Sequence, residues 1–114
     1  MNCLFCKIAK HEITADIIYE DSEIIAFNDV SPKAPIHILV IPKRHIASVA
    51  SLKNKDTLIL GKLIFRASEL SKNKDIFEKG FRLIFNSGPY SGQEINHIHL
   101  HLLGGKPLGP MVCN

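Results

Sequence analysis

The chain is short of several things, and each shortage removes a class of function. No run approaches 18 apolar residues, which excludes a membrane-spanning helix. No basic-then-apolar leader opens it, so the expectation is a soluble, intracellular, cytoplasmic protein. No block of Lys or Arg stands out, and a net charge of +3 is only mildly basic, so charge does not point to nucleic acid or membrane. Cysteine is scarce and odd in number, at three, which argues against a disulfide framework and for a reducing compartment. No Ser or Cys sits in a recognisable nucleophile elbow. No internal repeat or linker appears, and 114 residues fit a single domain, 1–114, with one real core.

What is abundant is histidine, in one place. Three of the six histidines fall in His97-Ile98-His99-Leu100-His101-Leu102-Leu103, followed by Gly104-Gly105. Histidine and aliphatic residues alternate with period 2, the pattern of a half-buried strand. A strand over 97–103 would set His97, His99 and His101 on one face and Ile98, Leu100 and Leu102 on the core face. Successive imidazoles would stand about 6.6–7 Å apart along it, close enough for two to flank one phosphate. A solvated face is normally filled with Lys, Glu or Thr. Three imidazoles there call for chemistry.

The remaining segments read as one α+β domain. Residues 3–10 form a short helical turn with Leu4, Phe5, Ile8 and Ala9 on one face. Segments 16–20 and 23–29 are β-branched and aromatic about Asp21-Ser22, which predicts a hairpin. Pro32 and Pro35 make 31–35 a loop. His37 to Ile41 is almost continuously apolar and closed by Pro42, as a central strand would be. From about Asn54 to Lys72 the period becomes helical. Leu58, Leu60, Leu63, Ile64, Ala67 and Leu70 form the predicted core face, Asn54 or Asp56 the cap, and Gly61 a place for close packing on the sheet. Residues 80–86 are a further strand, and 87–93 a loop that delivers into the histidine segment. Five strands with one long and one short helix predict a five-stranded antiparallel sheet, because the short connections exclude parallel crossovers.

The chemistry follows from imidazole. With a free pKa near 6.5 it is a nucleophile at neutral pH without further activation, and phosphorus is a natural target. Attack by His99 would give a phosphoramidate-type covalent intermediate, hydrolysed by water. His101 could hold phosphate oxygens or move a proton. Backbone N–H groups of Ser91-Gly92-Gln93 could face the same anion. Cys3-x-x-Cys6 is a metal-ligand spacing if two more ligands arrive, and otherwise a pair of small buried residues.

The histidine segment matches the His-φ-His-φ-His-φ-φ motif, and the chain resembles the histidine-triad (HIT) superfamily over nearly its whole length. Ala26-Phe27-Asn28-Asp29-Val30-Ser31-Pro32, Ala34 through Lys43, and Gly92-Gln93-Glu94 resemble its nucleotide-binding Hint branch, and Leu102 through Met111 resembles the tail of bacterial members. The resemblance implies a dimerising HIT-like fold and a purine nucleoside phosphoramidase, cleaving the P–N bond of adenosine 5′-phosphoramidates. It makes His99 the nucleotidylated residue, His101 the phosphate contact and His37 a supporting fourth histidine. Asp29 would take the ribose hydroxyls. Asn86, Gly92, Gln93 and Glu94 would line the phosphate end, and Phe5, Ile8, Phe27 and Val30 the base slot. Many animal members carry Ser at the position of Glu94, and an ionised carboxylate cannot donate to phosphate, so only its backbone N–H counts there. The resemblance also implies a structural zinc on Cys3, Cys6, His45 and His97, against a metal-free alternative with His45 exposed and His97 packed on the first strand. Dinucleoside polyphosphate hydrolysis and a zinc-stabilised binding module with little catalysis are the competing readings.

Overall fold

The computed structural model describes residues 3–113. Among them, five strands form one sheet in the order β1-β2-β3-β5-β4, with every neighbouring pair antiparallel. The strands are β1 (Ile17–Glu20), β2 (Ile24–Asn28), β3 (Ile36–Pro42), β4 (Phe81–Phe85) and β5 (Leu100–Gly104). The helices are α1 (Leu4–Ala9) and α2 (Thr57–Asn73). The β1–β2 hairpin turns on Asp21, whose Oδ1 accepts from the amides of Glu23 and Ile24 at 2.8 and 2.9 Å.

The two sheet faces carry separate apolar clusters. On one, Ile24, Ala26, Ile38, Val40, Leu100 and Leu102 pack with Leu63, Ala67 and Leu70 of α2. On the other, Ile25, Phe27, Leu39 and Ile41 pack beneath Cys3 and, from α1, Phe5, Ile8 and Ala9. β3 sits between β2 and β5 and is covered on both sides, which is why its sequence is apolar without alternation. The opening α1 is held by Cys3, whose Sγ accepts from the Cys6 amide at 3.2 Å as an N-cap.

Three expectations need correction. The histidine strand is shorter than its alternation suggests: β5 starts at Leu100, and His97 and His99 precede it. Opposite them stands Pro42, which has no N–H to give a ladder, and the Ile98 amide donates instead to the Ile46 carbonyl at 2.6 Å. The alternation of faces survives, since Ile98 still joins Leu100 and Leu102 in the α2-side core. Second, α2 buries only part of the predicted face: Leu63, Ala67 and Leu70 lie in the core as expected, and Ile59 joins them in place of Leu58 and Ile64. Its buried stripe is Ile59, Leu63, Ala67 and Leu70, while Leu58, Ile64 and Phe65 are exposed. Two apolar stripes share this helix, so hydrophobic period alone could not choose between them. Third, Gly61 faces open space and packs against nothing. The glycines that do matter for packing are Gly104, where a Cβ would meet Ile76 at 2.7 Å, and Gly105, where φ is +100° and a Cβ would meet Pro35 at 2.8 Å.

Candidate active site

The α1 face of the sheet carries the polar chemistry. Strand register sets Phe27, Leu39, His101 and Ile84 side by side across β2, β3, β5 and β4. Asp29 follows β2, and its amide donates to the His37 carbonyl. A cavity of about 620 Å³ opens over this row, within the range of small-molecule sites. His37, His99 and His101 line it together with Asp29, Asn86, Gly92 and Glu94. Phe5, Ile8, Phe27 and Val30 line its other end.

Backbone partners decide where each imidazole carries its proton. The Lys33 amide can only donate, and it reaches His37 Nδ1 at 3.1 Å. The His37 proton is therefore on Nε2, 2.9 Å from His101 Nδ1. His101 Nδ1 accepts, which leaves the neutral His101 ring with its proton on Nε2. Burial lowers the His37 pKa, and burial together with the charges of His99 and His37 pushes His101 down to about 4, so both rings are neutral at pH 7. His99 Nδ1 donates to the His97 carbonyl at 2.7 Å, which puts its lone pair on Nε2. The edge of Phe5 packs against His99 with ring centroids 5.2 Å apart at 88°, holding that rotamer.

His97 is turned the other way. Its ring is fully buried, and Nε2 donates to the Pro42 carbonyl at 2.8 Å. The free Nδ1 lies 3.3 Å from Cys3 Sγ and 3.5 Å from Cys6 Sγ, while His45 Nδ1 lies 3.3 Å from Cys6 Sγ. These four ligand atoms, all within 4.8 Å of one another, could hold a metal ion. Asp29, His37 and His101 are also close enough for a metal. Their donor set does not suit one, because the Lys33 amide keeps the proton on the His37 nitrogen that would have to bind.

The loop from Gly88 to Glu94 departs from expectation. The amides of Ser91, Gly92 and Gln93 donate to carbonyls of Gly88, Pro89 and Gly88 within the loop, so they are committed there and do not face an anion. Gln93 lies outside the cavity lining. Its side chain clamps the loop, donating to the Ala47 and Ile95 carbonyls and accepting from the Gly88 amide. The Glu94 amide has no partner among the described residues. Asn86 Nδ2 donates to the Ser91 carbonyl and fixes the loop on β4. Sequence reasoning missed Lys33, Leu39, Ile84 and Leu103. Period-2 stepping from His37, Asn86 and His101 reaches the last three. Nothing in the pattern marks the Lys33 amide.

A family model described as scavenger mRNA decapping enzyme C-term binding matches residues 2–110. The chain is 45% identical over 111 residues to a purine nucleoside phosphoramidase of Escherichia coli strain K12, covering 97% of this chain and 93% of that one. It superposes on a HIT family hydrolase from Legionella pneumophila Philadelphia 1 with a TM-score of 0.91 at 47% identity, covering 95% of this chain and all of that one. A histidine triad protein from Clostridium difficile gives a TM-score of 0.94 at 42% identity, over 98% of this chain and 97% of that one. Triad, fold and near-complete coverage agree, and the chain belongs to the histidine-triad (HIT) family of hydrolases.

Proposed function

We propose that the protein hydrolyses the P–N bond of purine nucleoside 5′-phosphoramidates through a nucleotidyl-His99 intermediate. The observation that carries this reading is the fixed lone pair on His99 Nε2, beside a neutral His101 whose proton is also on Nε2. The similarity to purine nucleoside phosphoramidases supports the substrate class. The base enters the slot of Phe5, Ile8, Phe27 and Val30. Asp29, whose Oδ1 accepts from the Ser31 amide at 2.8 Å, offers carboxylate oxygen to the ribose hydroxyls. His101 Nε2–H and the Glu94 amide hold the phosphate oxygens. The His99 lone pair forms the N–P bond as the P–N bond to the amine breaks, and the amine leaves with a proton from solvent at the open mouth. Water then attacks phosphorus, returns that proton to solvent, and releases the nucleoside monophosphate with His99 restored.

The four-residue cluster fits zinc. A tetrahedron with Zn–S of about 2.3 Å and Zn–N of about 2.05 Å has S···N edges of about 3.5 Å, and the observed edges are 3.3, 3.3 and 3.5 Å. Bound there, zinc would act as a structural cross-link between α1, the 43–46 loop and the histidine segment. The Pro42 carbonyl would orient His97 as ligands are oriented in such sites. A homodimer and a reducing, cytoplasmic location complete the reading. The exposed Leu58 and Phe65 of α2 and the open edge of β4 support the first, and three cysteines in no disulfide among the described residues the second. The test is turnover of adenosine 5′-phosphoramidate with mass-spectrometric capture of a nucleotidyl group on His99. Label on another residue, or no turnover, overturns the assignment.

A further inference from the structure

The 88–94 loop ends on a backbone donor without a partner among the described residues, the Glu94 amide, and Glu94 lines the same cavity as His99 and His101. Such a donor is useful to a phosphate only if it is aimed. Most of the loop's hydrogen bonds do not aim it at anything. The 91–93 amides close onto carbonyls inside the loop, and Ser91 Oγ does the same. Asn86 Nδ2 reaches the Ser91 carbonyl and fastens the loop only to the end of its own strand.

Gln93 is different. Its Oε1 accepts from the Gly88 amide at 2.9 Å, and Nε2 donates to the Ile95 carbonyl at 3.0 Å and to the Ala47 carbonyl at 2.9 Å. Both donor hydrogens of the side chain are therefore used, and none is left for a ligand. The bond to Ile95 spans Glu94 and holds the backbone on its far side. The bond to Ala47 is, among the described residues, the one hydrogen bond that joins 88–94 to a distant part of the chain. Ala47 belongs to the stretch that also holds the histidine segment. The neighbouring Ile46 carbonyl takes the Ile98 amide at 2.6 Å, and the Ala50 amide donates to Ser87 Oγ at 3.2 Å, just before the loop. A short bonded path thus runs from the Glu94 amide through Gln93, Ala47, Ile46 and Ile98 to His99.

Resting on the phosphoramidase reading, we propose that Gln93 is a positioning residue that registers the Glu94 amide against His99, so that phosphate donor and nucleophile meet one phosphorus from fixed places. Gln93 itself touches no substrate. Its side chain replaces a rigid element between two segments that share no strand ladder.

The test separates aiming from folding by binding. Calorimetric affinities for AMP and for adenosine are measured in wild type, Gln93→Ala and Gln93→Met. Met fills the space of Gln without its hydrogen bonds, and it decides the outcome if Ala weakens both ligands. AMP affinity should fall about tenfold, the scale of a lost hydrogen bond to a charged group. Adenosine affinity should stay within about twofold, as for sites that share no partner, because adenosine has no phosphate for the amide to hold. The kcat/KM for adenosine 5′-phosphoramidate should drop roughly a hundredfold, the cost of a small misplacement at the reacting centre, with most of the loss in kcat. A merely structural role would weaken AMP and adenosine together, and that result in Gln93→Met overturns the proposal. So does an unchanged AMP affinity, an unchanged kcat/KM, or a wild type that binds AMP no more tightly than adenosine. If wild type does not turn over the phosphoramidate, the phosphoramidase reading falls, and the AMP-to-adenosine comparison still decides the role of Gln93.

Discussion

His97 and His101 are four residues apart and were made equivalent by the sequence pattern, yet they end in opposite environments. His97 is sealed, with one nitrogen on the Pro42 carbonyl and the other among two thiols and His45. His101 faces a cavity, with one nitrogen on His37 and the other uncommitted. The difference lies in the hydrogen-bond partner, not in the residue. A carbonyl partner forces an imidazole nitrogen to donate and frees the other as a ligand or nucleophile. An N–H partner does the reverse. His99 stands between them and borrows from both: its Nδ1 proton rests on the backbone carbonyl of His97, and its ring lies 4.9 Å from that of His101.

Removing the shared member should give the largest effect. His99→Asn is expected to lower turnover by about a million-fold, the scale seen when a nucleophile acting as part of a unit is lost. Circular dichroism should be unchanged, because the Leu100 and Leu102 core is untouched. Near-normal turnover would move the nucleophile elsewhere.

The sealed end should dominate stability. Cys6→Ser removes one of the four side chains that could hold a metal ion, and for the proposed zinc site the expected cost is roughly 4 kcal/mol, the range of metal-site loss, read as a lower melting temperature. Burial and the adjacent Cys3 push the Cys6 thiol up to about 11 despite an opposing pull from the Lys10 ammonium, so proton and metal would compete for it. For protein loaded with the proposed zinc, a chelator should also slow turnover, since the His97 carbonyl that fixes the His99 tautomer is tied to the cluster. Unchanged kinetics in metal-free protein would show that the two ends are independent.

The open end should show in the pH dependence of stability. Burial, with the charges of His99 and His37, lowers His101 to about 4 against an unfolded value near 6.5. A lowered histidine pKa means that the unfolded chain binds the proton more readily. The stability linked to neutral His101 is complete above about pH 6.5 and is lost as pH falls toward 4, by about 1–2 kcal/mol once solvent screening of the partly exposed ring is allowed for. His101→Gln, a neutral group, should flatten that slope while leaving any acid lability of the Cys3, Cys6, His45 and His97 cluster in place. An equal slope in both proteins would refute the neutral-ring assignment.

How much of this was legible in the sequence divides along the same line. Strand period revealed Ile98, Leu100 and Leu102 as core and the histidines as the opposite face, because side-chain alternation is local. The hairpin about Asp21 and the apolar β3 were legible for the same reason. Cys3, Cys6, His45 and His97 span 94 residues, and only family resemblance could draw them together. The Lys33 amide and the Pro42 carbonyl were invisible, since backbone groups leave no mark on residue type. The self-satisfied amides of 91–93 and the second apolar stripe of α2 failed for a related reason. Both depend on which of several allowed local arrangements the tertiary contacts select.

The smallest effect should come from the outer wall of the base slot, and it sharpens what an open site means. Phe5 and Phe27 are packed edge to face, centroids 5.4 Å apart, and both are buried. Val30 is 97% exposed although it lines the same cavity. An exposed Val contributes little to folding, so Val30→Ala should leave the melting temperature within about a degree, consistent with surface substitutions worth under about 0.5 kcal/mol. A base stacked in the slot would bury the Val30 methyl groups on binding. At about 0.8 kcal/mol per methylene-sized group and incomplete burial, the loss is about 1 kcal/mol, or roughly a fivefold rise in KM at constant kcat. Phe5→Leu should differ in kind, lowering kcat as well, because its ring also holds His99. If Val30→Ala lowers kcat and spares KM, the wall belongs to catalysis and the base lies elsewhere in the cavity.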